Sequence, residues 1–458
     1  MKPENLPALN TDFRSALARL RAAGRVRSLN READPDLEIA ALMKRLDGAE
    51  ALLFPKVKGH NVPVIGNLLA SQANCEAAFG VTYREIRDFV GRALGNPIPP
   101  KKISSAPCQE NVHRDFDIGR VLPVLRHTEA DSGRFITAGI VVVQDPETGV
   151  YNASYHRLQL LGPKKTGVKL DFGRHLRLAY ERAQKLKQDL PIAVCIGTDL
   201  AVHYTAATMG AQMPESSDEL AVAGALRGSP LPVVKCISND LHVPADSEFV
   251  LEGKMRWQGT VREGPFAEFI GYLSPEGDAP VFEVDVLTHR TDPIYHAING
   301  YGRETVMLRK YVMEASLLKA LQASVPIIHD AEMTAGGLHR FIAVLSVKKT
   351  NPQQEGLQRN AILAAFATLK DLDLVIAVDD DIDIRDPVDV EYALATRMEA
   401  SRDIFVIPDA RGHEYVRAGK NGVVAKLGID ATVPFEDKAR FARASFKPVE
   451  IKDIEWQK

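Results

Sequence analysis

The chain has 458 residues and a nearly balanced charge, 57 Lys plus Arg against 60 Asp plus Glu, for a net −3. At about 100–200 residues per domain this length predicts two or three domains, and without a positive excess a general phosphate-backbone binder is disfavoured. Apolar residues at 45% and charged residues at 26% exclude a disordered chain, 7% aromatics disfavour a base-stacking surface, and no apolar run approaches the roughly 18 residues of a membrane span.

The N-terminal segment lacks a secretory apolar core, because charges and prolines interrupt it, so cytoplasmic residence is the expectation. Thr11 is placed to cap a helix with Phe13, Leu17 and Leu20 on its buried face, ending at Gly24. Asp34-Pro35 should open a second helix that stops at Gly48. Apolar segments at 51–54 and 62–69 read as strands, and the proline-rich stretch 97–102 as a linker. Residues 116–300 are richer in strands. These are expected over 135–144 and 150–161, joined by turn chemistry at 145–149, and again over 233–237, 248–251 and 280–287. Helices are expected over 175–187, 220–226 and 304–321. Beyond about 325, strand, helix and strand at 340–347, 360–369 and 374–378 indicate an α/β unit.

Four clusters carry candidate chemistry. Asn152 and Arg157 share a strand, and a regular pleat sends side chains five apart to opposite faces. Either the strand bulges, twists or ends there, so that both serve one site, or one is an ordinary paired strand residue. Arg174-His175 precedes a helix, where it either packs and caps or contacts a metal or phosphate at free N–H groups. Ser217-Asp218-Glu219 opens the next helix, where acids usually answer the helix dipole. Glu263 and Glu268 flank a Gly-Pro break that can fold them toward one point. A carboxyl group in an apolar pocket there would act as an acid near neutral pH. The acidic run 379–383 could hold Mg²⁺ at a strand end, but a structural loop is the preferred reading. Cys75, Cys108, Cys195 and Cys236 form no CxxC pair and are expected to be buried free thiols. No GxGxxG, P-loop or GxSxG signature is present.

These segments, in this order, resemble the UbiD family of reversible decarboxylases, which use prenylated FMN. The matching stretches run from about 110 to 432 and include Asn152–Arg157, Arg174-His175, Asp218–Gly224, Glu263–Glu268, Arg290–Tyr295, Val378–Ile384 and Gly428–Thr432. The resemblance implies that Asn152, His175 and Glu219 ligate Mn²⁺ or Mg²⁺ beside the cofactor phosphate, a donor set that suits either ion. It implies cofactor contacts at Ser154, Arg157, Arg174, Met213 and Pro214 as well, and a K⁺ ion held by carbonyls near Ala153 and Met213. It further implies a catalytic trio. Glu268 delivers a proton to the carbon that CO₂ leaves, Arg157 orients the substrate carboxylate, and Glu263 fixes Arg157. In the family the flavin bonds covalently to the substrate and takes up the released electrons, a sink no side chain offers. The usual Gly-Pro-Phe-Gly-Glu reads Gly-Pro-Phe-Ala-Glu here, so a positive φ at Ala267 would force a different loop.

His296 and Arg303 would grip a second carboxylate or ring heteroatom, or else cap the 304–321 helix. The expected substrate is an aromatic or heteroaromatic acid of furan or pyrrole type, with an α,β-unsaturated acid as the alternative. The rivals are a split-barrel FMN reductase and a non-catalytic cofactor carrier. The resemblance implies an α/β (α+β) architecture: an N-terminal α/β unit (1–115), a central split β-barrel binding prenylated FMN (116–303), a linker helix (304–322) and a C-terminal α/β oligomerisation domain with its tail (323–458). It also implies a homodimer, or a hexamer of dimers, supplied with cofactor by a separate flavin prenyltransferase and contacting neither nucleic acid nor membrane.

Overall fold

The computed structural model describes residues 8–171, 174–208 and 213–447. The fold is mixed α/β, as expected. It divides into two compact units, Met1–Lys319 with Ala335–Arg340, and Ala320–Thr334 with Phe341–Lys458, so the division falls inside the helix Arg303–Ser324.

In the first unit, a four-stranded sheet runs in the order Val26–Ser28, Ala51–Phe54, Val64–Gly66 and Tyr295–His296. Phe13, Leu17 and Leu20 of helix Phe13–Ala22 are buried, as their spacing predicts. The cap is Asp12 rather than Thr11, because the Asp12 carboxylate accepts from Ser15 N and the Thr11 carbonyl is taken by Leu200 N. The second helix starts at Glu38, not at Asp34-Pro35, since Leu37 takes φ +72° and no helix passes through that conformation. The 97–102 stretch is docked rather than free. Ile98 N donates to Ala221 O, and Lys101–Ile103 pairs with Pro232–Lys235.

The centre of this unit is an antiparallel sheet of nine described strands. Its path is Phe135–Ile136, Leu158–Gly162, Lys165–Val168, Gly277–His289, Phe249–Glu263, Leu190–Ile196, Ile140–Gln144 and Tyr151–Tyr155, with Asn111–His113 added against Gly277–His289. Tyr151–Tyr155 closes one end of this path and Leu158–Gly162 lies next to the other. Only His156 and Arg157 join them, a link of at most about 11 Å. The sheet must therefore curl until its ends are neighbours, which is a split barrel. The single strands expected over 135–144 and 150–161 are each cut in two by these crossings. The apolar pattern could not reveal the cut at 137–139, because Phe135-Ile136 and Ile140–Val143 are buried at consecutive positions and read as one continuous apolar run.

The second unit is a five-stranded sheet ordered Ile328–Met333, Ile342–Val347, Leu374–Asp379, Val423–Ala431 and Ile404–Arg411. Its three central strands are parallel and its edges antiparallel. The four cysteines are free and buried, and no described helix is long and apolar enough to cross a membrane.

The barrel's longest pairing shifts register at Glu252/Gly253, where a β-carbon on Gly253 would fall onto the Glu283 carbonyl oxygen. Gly253→Ala should destabilise the protein by about 1–3 kcal/mol through this overpacking, read as a lower denaturant midpoint at unchanged slope.

Candidate active site

Arg157 lies in the two-residue crossing, where the strand has ended and the pleat no longer dictates direction. Its Nε donates to Glu263 Oε1 at 2.7 Å and its Nη2 to Glu263 Oε2 at 2.9 Å, a bidentate pair. Its Nη1 donates to Glu268 Oε1. The guanidinium carbon stands 5.1 Å from the centre of the Phe266 ring. Glu263 is 1% exposed, and the Glu268 side chain 20%.

The loop between the two acids is fixed by its backbone. Gly264, at φ +84°, gives its N–H to Gln159 Oε1 at 3.0 Å, and a β-carbon there would lie 3.1 Å from the Pro275 carbonyl. Phe266-Ala267 forms a short antiparallel strand with Leu273-Ser274. Ala267 is absent from the positive-φ residues, so the missing second glycine does not alter this loop. Burial pushes the Glu268 carboxyl above the ordinary range, and the Arg157 charge only partly offsets it. Burial also works against the Arg157 cation, but Glu263 and Glu268 more than compensate and raise its pKa.

A second polar corner joins Asn152, His175 and Glu219. Asn152 Nδ2 is 2.8 Å from Glu219 Oε1 and 3.4 Å from His175 Nδ1, and His175 Nδ1 is 3.4 Å from Glu219 Oε1. Each of the two ring and carboxylate residues is the first of its helix, His175–Leu186 and Glu219–Arg227. Asp218 does the capping, accepting from Leu220 N and Ala221 N, which leaves Glu219 free to turn inward. Its Oε2 accepts from Ala153 N at 3.2 Å, and burial raises its pKa, with His175 opposing. No cluster of three His, Cys, Asp or Glu side chains suited to a metal occurs among the described residues. The corner depends on an amide for its third donor.

Ser154 bonds Asn152 Oδ1 at 2.9 Å and so belongs to this corner. Arg174 stands at the N-cap of its helix, Met213 is buried, and Pro214 is exposed with its carbonyl holding Ser217 N. His296 is fully enclosed. Its Nε2 meets Glu304 Oε1 at 3.0 Å, and its ring packs 5.1 Å from His203. Arg303 is exposed at the start of the long helix, lying against Gly48, so the partner of His296 is Glu304. In the acidic run, Asp379 and Asp381 bind Arg397 and Asp380 binds Lys348, which is the structural role preferred for it. Two residues that shape the site went unnoticed in the sequence, Gln159 and His156. Gln159 lies in the strand Leu158–Gly162 just past the crossing, and only its bond from Gly264 N marks it as part of the site.

Models of the UbiD (3-octaprenyl-4-hydroxybenzoate carboxy-lyase) N-terminal, Rift-related and C-terminal domains match residues 17–94, 101–302 and 306–431. The chain is 35% identical to anhydromevalonate phosphate decarboxylase of Methanosarcina mazei over 436 residues, 94% of this chain and 98% of that protein. Its structure resembles the UbiD-class enzyme HmfF of Pelotomaculum thermopropionicum in complex with FMN (TM-score 0.91, 38% identity, 97% of this chain and 99% of the other). An evolved dimeric form of HmfF in complex with prFMN matches at TM-score 0.88, with 36% identity, 97% of this chain and 100% of the other. Apo 3,4-dihydroxybenzoic acid decarboxylase of Klebsiella pneumoniae matches at TM-score 0.90, with 30% identity, 96% of this chain and 98% of the other. With its curled barrel and its shared arginine, the chain belongs to the UbiD family of carboxy-lyases.

Proposed function

We propose that the protein is a reversible, non-oxidative decarboxylase of an aromatic or heteroaromatic carboxylic acid, using prenylated FMN with Mn²⁺ or Mg²⁺ and K⁺. The observation that carries this reading is the sharing of Arg157 between Glu263 and Glu268, with the Glu268 pKa raised by burial. One guanidinium charge does not balance two carboxylates. The bidentate grip on Glu263 takes up that charge, and Glu268 is the one favoured to hold a proton.

The donor set at the second corner fits a hard divalent ion: one carboxylate, one amide and one imidazole within 3.4 Å of each other. Asn152, His175 and Glu219 would hold that ion, with Ser154, Arg174, Met213 and Pro214 lining the flavin. When bound, the prenylated flavin supplies the electron sink for the pair released as the C–CO₂ bond breaks. Arg157 binds and orients the substrate carboxylate, Glu263 holds the guanidinium plane, and Glu268 protonates the carbon that CO₂ leaves. In the carboxylation direction Glu268 takes that proton back. His296, held by Glu304, is proposed to help select the substrate, without Arg303, which is exposed against Gly48. The M. mazei relative, by its name, supports a non-aromatic acid, and an α,β-unsaturated one is the second reading. A screen of aromatic, heteroaromatic and α,β-unsaturated acids for CO₂ release separates the two. The dimeric form of HmfF supports a homodimer, or a hexamer built from dimers. A separate flavin prenyltransferase would supply the cofactor.

Protein from cells co-expressing a flavin prenyltransferase tests the roles. Glu268→Gln should keep the flavin and lose about 10²–10⁴-fold in turnover; unchanged turnover would refute the acid. Glu268 donates only while protonated, and that form is lost as pH rises through its pKa. Since that pKa is raised, kcat should fall on the basic side, at higher pH than an ordinary glutamate would impose. Asn152→Ala and Glu219→Ala should each lower the visible absorbance of the purified protein, and full occupancy in both would exclude the metal bridge. Arg157→Met leaves Glu263 buried without its cation. It should cost about 3–5 kcal/mol in denaturant unfolding, part of it recovered by adding Glu263→Gln.

A further inference from the structure

His156 lies between the two arms of the site and has no part in the roles assigned above. Its Nδ1 is 2.9 Å from the Lys169 carbonyl oxygen, and its Nε2 is 3.1 Å from Ser154 Oγ. A carbonyl oxygen only accepts, so Nδ1 carries the hydrogen. The ring is buried, and burial keeps its pKa below the usual histidine value, so it holds a single N–H and Nε2 is an acceptor. The Ser154 hydroxyl then donates to Nε2 and has no second hydrogen to give.

Ser154 Oγ also stands 2.9 Å from the Asn152 amide. There it can only accept, which calls for the amide nitrogen on that side. The other end of the amide, facing Glu219 Oε1 at 2.8 Å and His175 Nδ1 at 3.4 Å, would then be the carbonyl oxygen. In this structure the nitrogen faces Glu219 instead, with Ser154 donating to Oδ1, and His156 Nε2 is left facing a hydroxyl oxygen without a hydrogen for it. The amide is nearly symmetric in shape, so hydrogen bonds alone decide its direction. The two directions differ in what they satisfy. Nitrogen inward serves Glu219 and leaves His156 unmet. Oxygen inward serves His156 and brings amide oxygen, carboxylate oxygen and imidazole nitrogen together, a donor set that a cation among them would satisfy.

We propose that His156, acting through the Ser154 hydroxyl, is a positioning residue that turns the Asn152 amide oxygen toward a divalent cation held with His175 and Glu219. The inference rests on the reading of that corner as a cation site. Partners that orient a metal ligand typically change metal affinity tenfold or more when removed.

The test is Mn²⁺ titration of the full chain with saturating FMN, with free Mn²⁺ read by electron paramagnetic resonance. The unaltered chain should bind Mn²⁺ and Glu219→Ala should not; failure of the unaltered chain to bind overturns both the cation site and the positioning role. Given binding, His156→Leu and Ser154→Ala should each weaken Mn²⁺ by about tenfold or more, and His156→Gln, whose Oε1 replaces the Nε2 acceptor, should not. An Asn152→Asp background separates positioning from mere structural support, because a carboxylate offers oxygen whichever way it turns. There His156→Leu should cost nothing further. Binding by His156→Leu within twofold of the unaltered chain, or an equal loss in the Asn152→Asp background, overturns the positioning role and leaves the cation site standing. Should His156→Leu fail to fold, Ser154→Ala carries the same comparison.

Discussion

One guanidinium held between two carboxylates, at the point where the barrel sheet meets its own end, is the interaction on which the active site depends. Bidentate geometry commits Arg157 to Glu263, leaving Glu268 with a single bond and a raised proton affinity. The asymmetry is geometric before it is chemical. Glu263 ends a fifteen-residue strand and is buried, whereas Glu268 lies past a glycine at φ +84° and a two-residue strand, in a loop that Gln159 and Ser274 tie back. The rigid acid takes the fork, and the one in the loop has the raised proton affinity. Because Arg157 sits in the crossing between the two ends of the sheet, the spacing of this trio is set by barrel closure.

The second corner follows from helix termini. His175 and Glu219 are both first residues of helices, where backbone N–H groups are unpaired and the dipole favours negative charge. A carboxylate there would ordinarily spend itself on the helix. Asp218 takes that duty, and Glu219 reaches Asn152 and Ala153 N on the neighbouring strand. Two adjacent acids thus divide capping from ligand-type geometry, a division that acidic residues in a first turn do not announce in sequence.

Much of the fold was legible because it rests on local rules. The buried stripe of Phe13–Ala22, the turn at 145–149 and the long helix Arg303–Ser324 lie where their patterns put them. Helices Gln72–Phe79 and Tyr83–Ala93 were not anticipated, although Ser71 and the Thr82–Glu85 capping box mark their starts. The residues of the site were identified by family resemblance and not by pattern. Arg157 is separated from Glu263 and Glu268 by 106 and 111 positions, and no periodicity reaches across such distances. A regular pleat made Asn152 and Arg157 incompatible with one site. The pleat stops at Tyr155, and only the closure of the sheet, a property of eight other strands, explains why it stops there.

That closure also separates two side-chain clusters within one short segment. Asn152, Ser154 and His156 form a hydrogen-bonded file two residues apart, as side chains on one face of an extended chain must, and this file ends at the corner with His175 and Glu219. Arg157 and Gln159 form the opposite file, and both hold the loop from Glu263 to Glu268. The hydrogen bonds group Asn152, Ser154 and His156 with Glu219, and Arg157 and Gln159 with the loop that carries Glu263 and Glu268. The two files share a backbone tied to Gly139 through His156 N. A shift of the seam therefore moves both together, so that the spacing between the corner at Asn152 and the carboxylates bound by Arg157 is fixed by six consecutive residues.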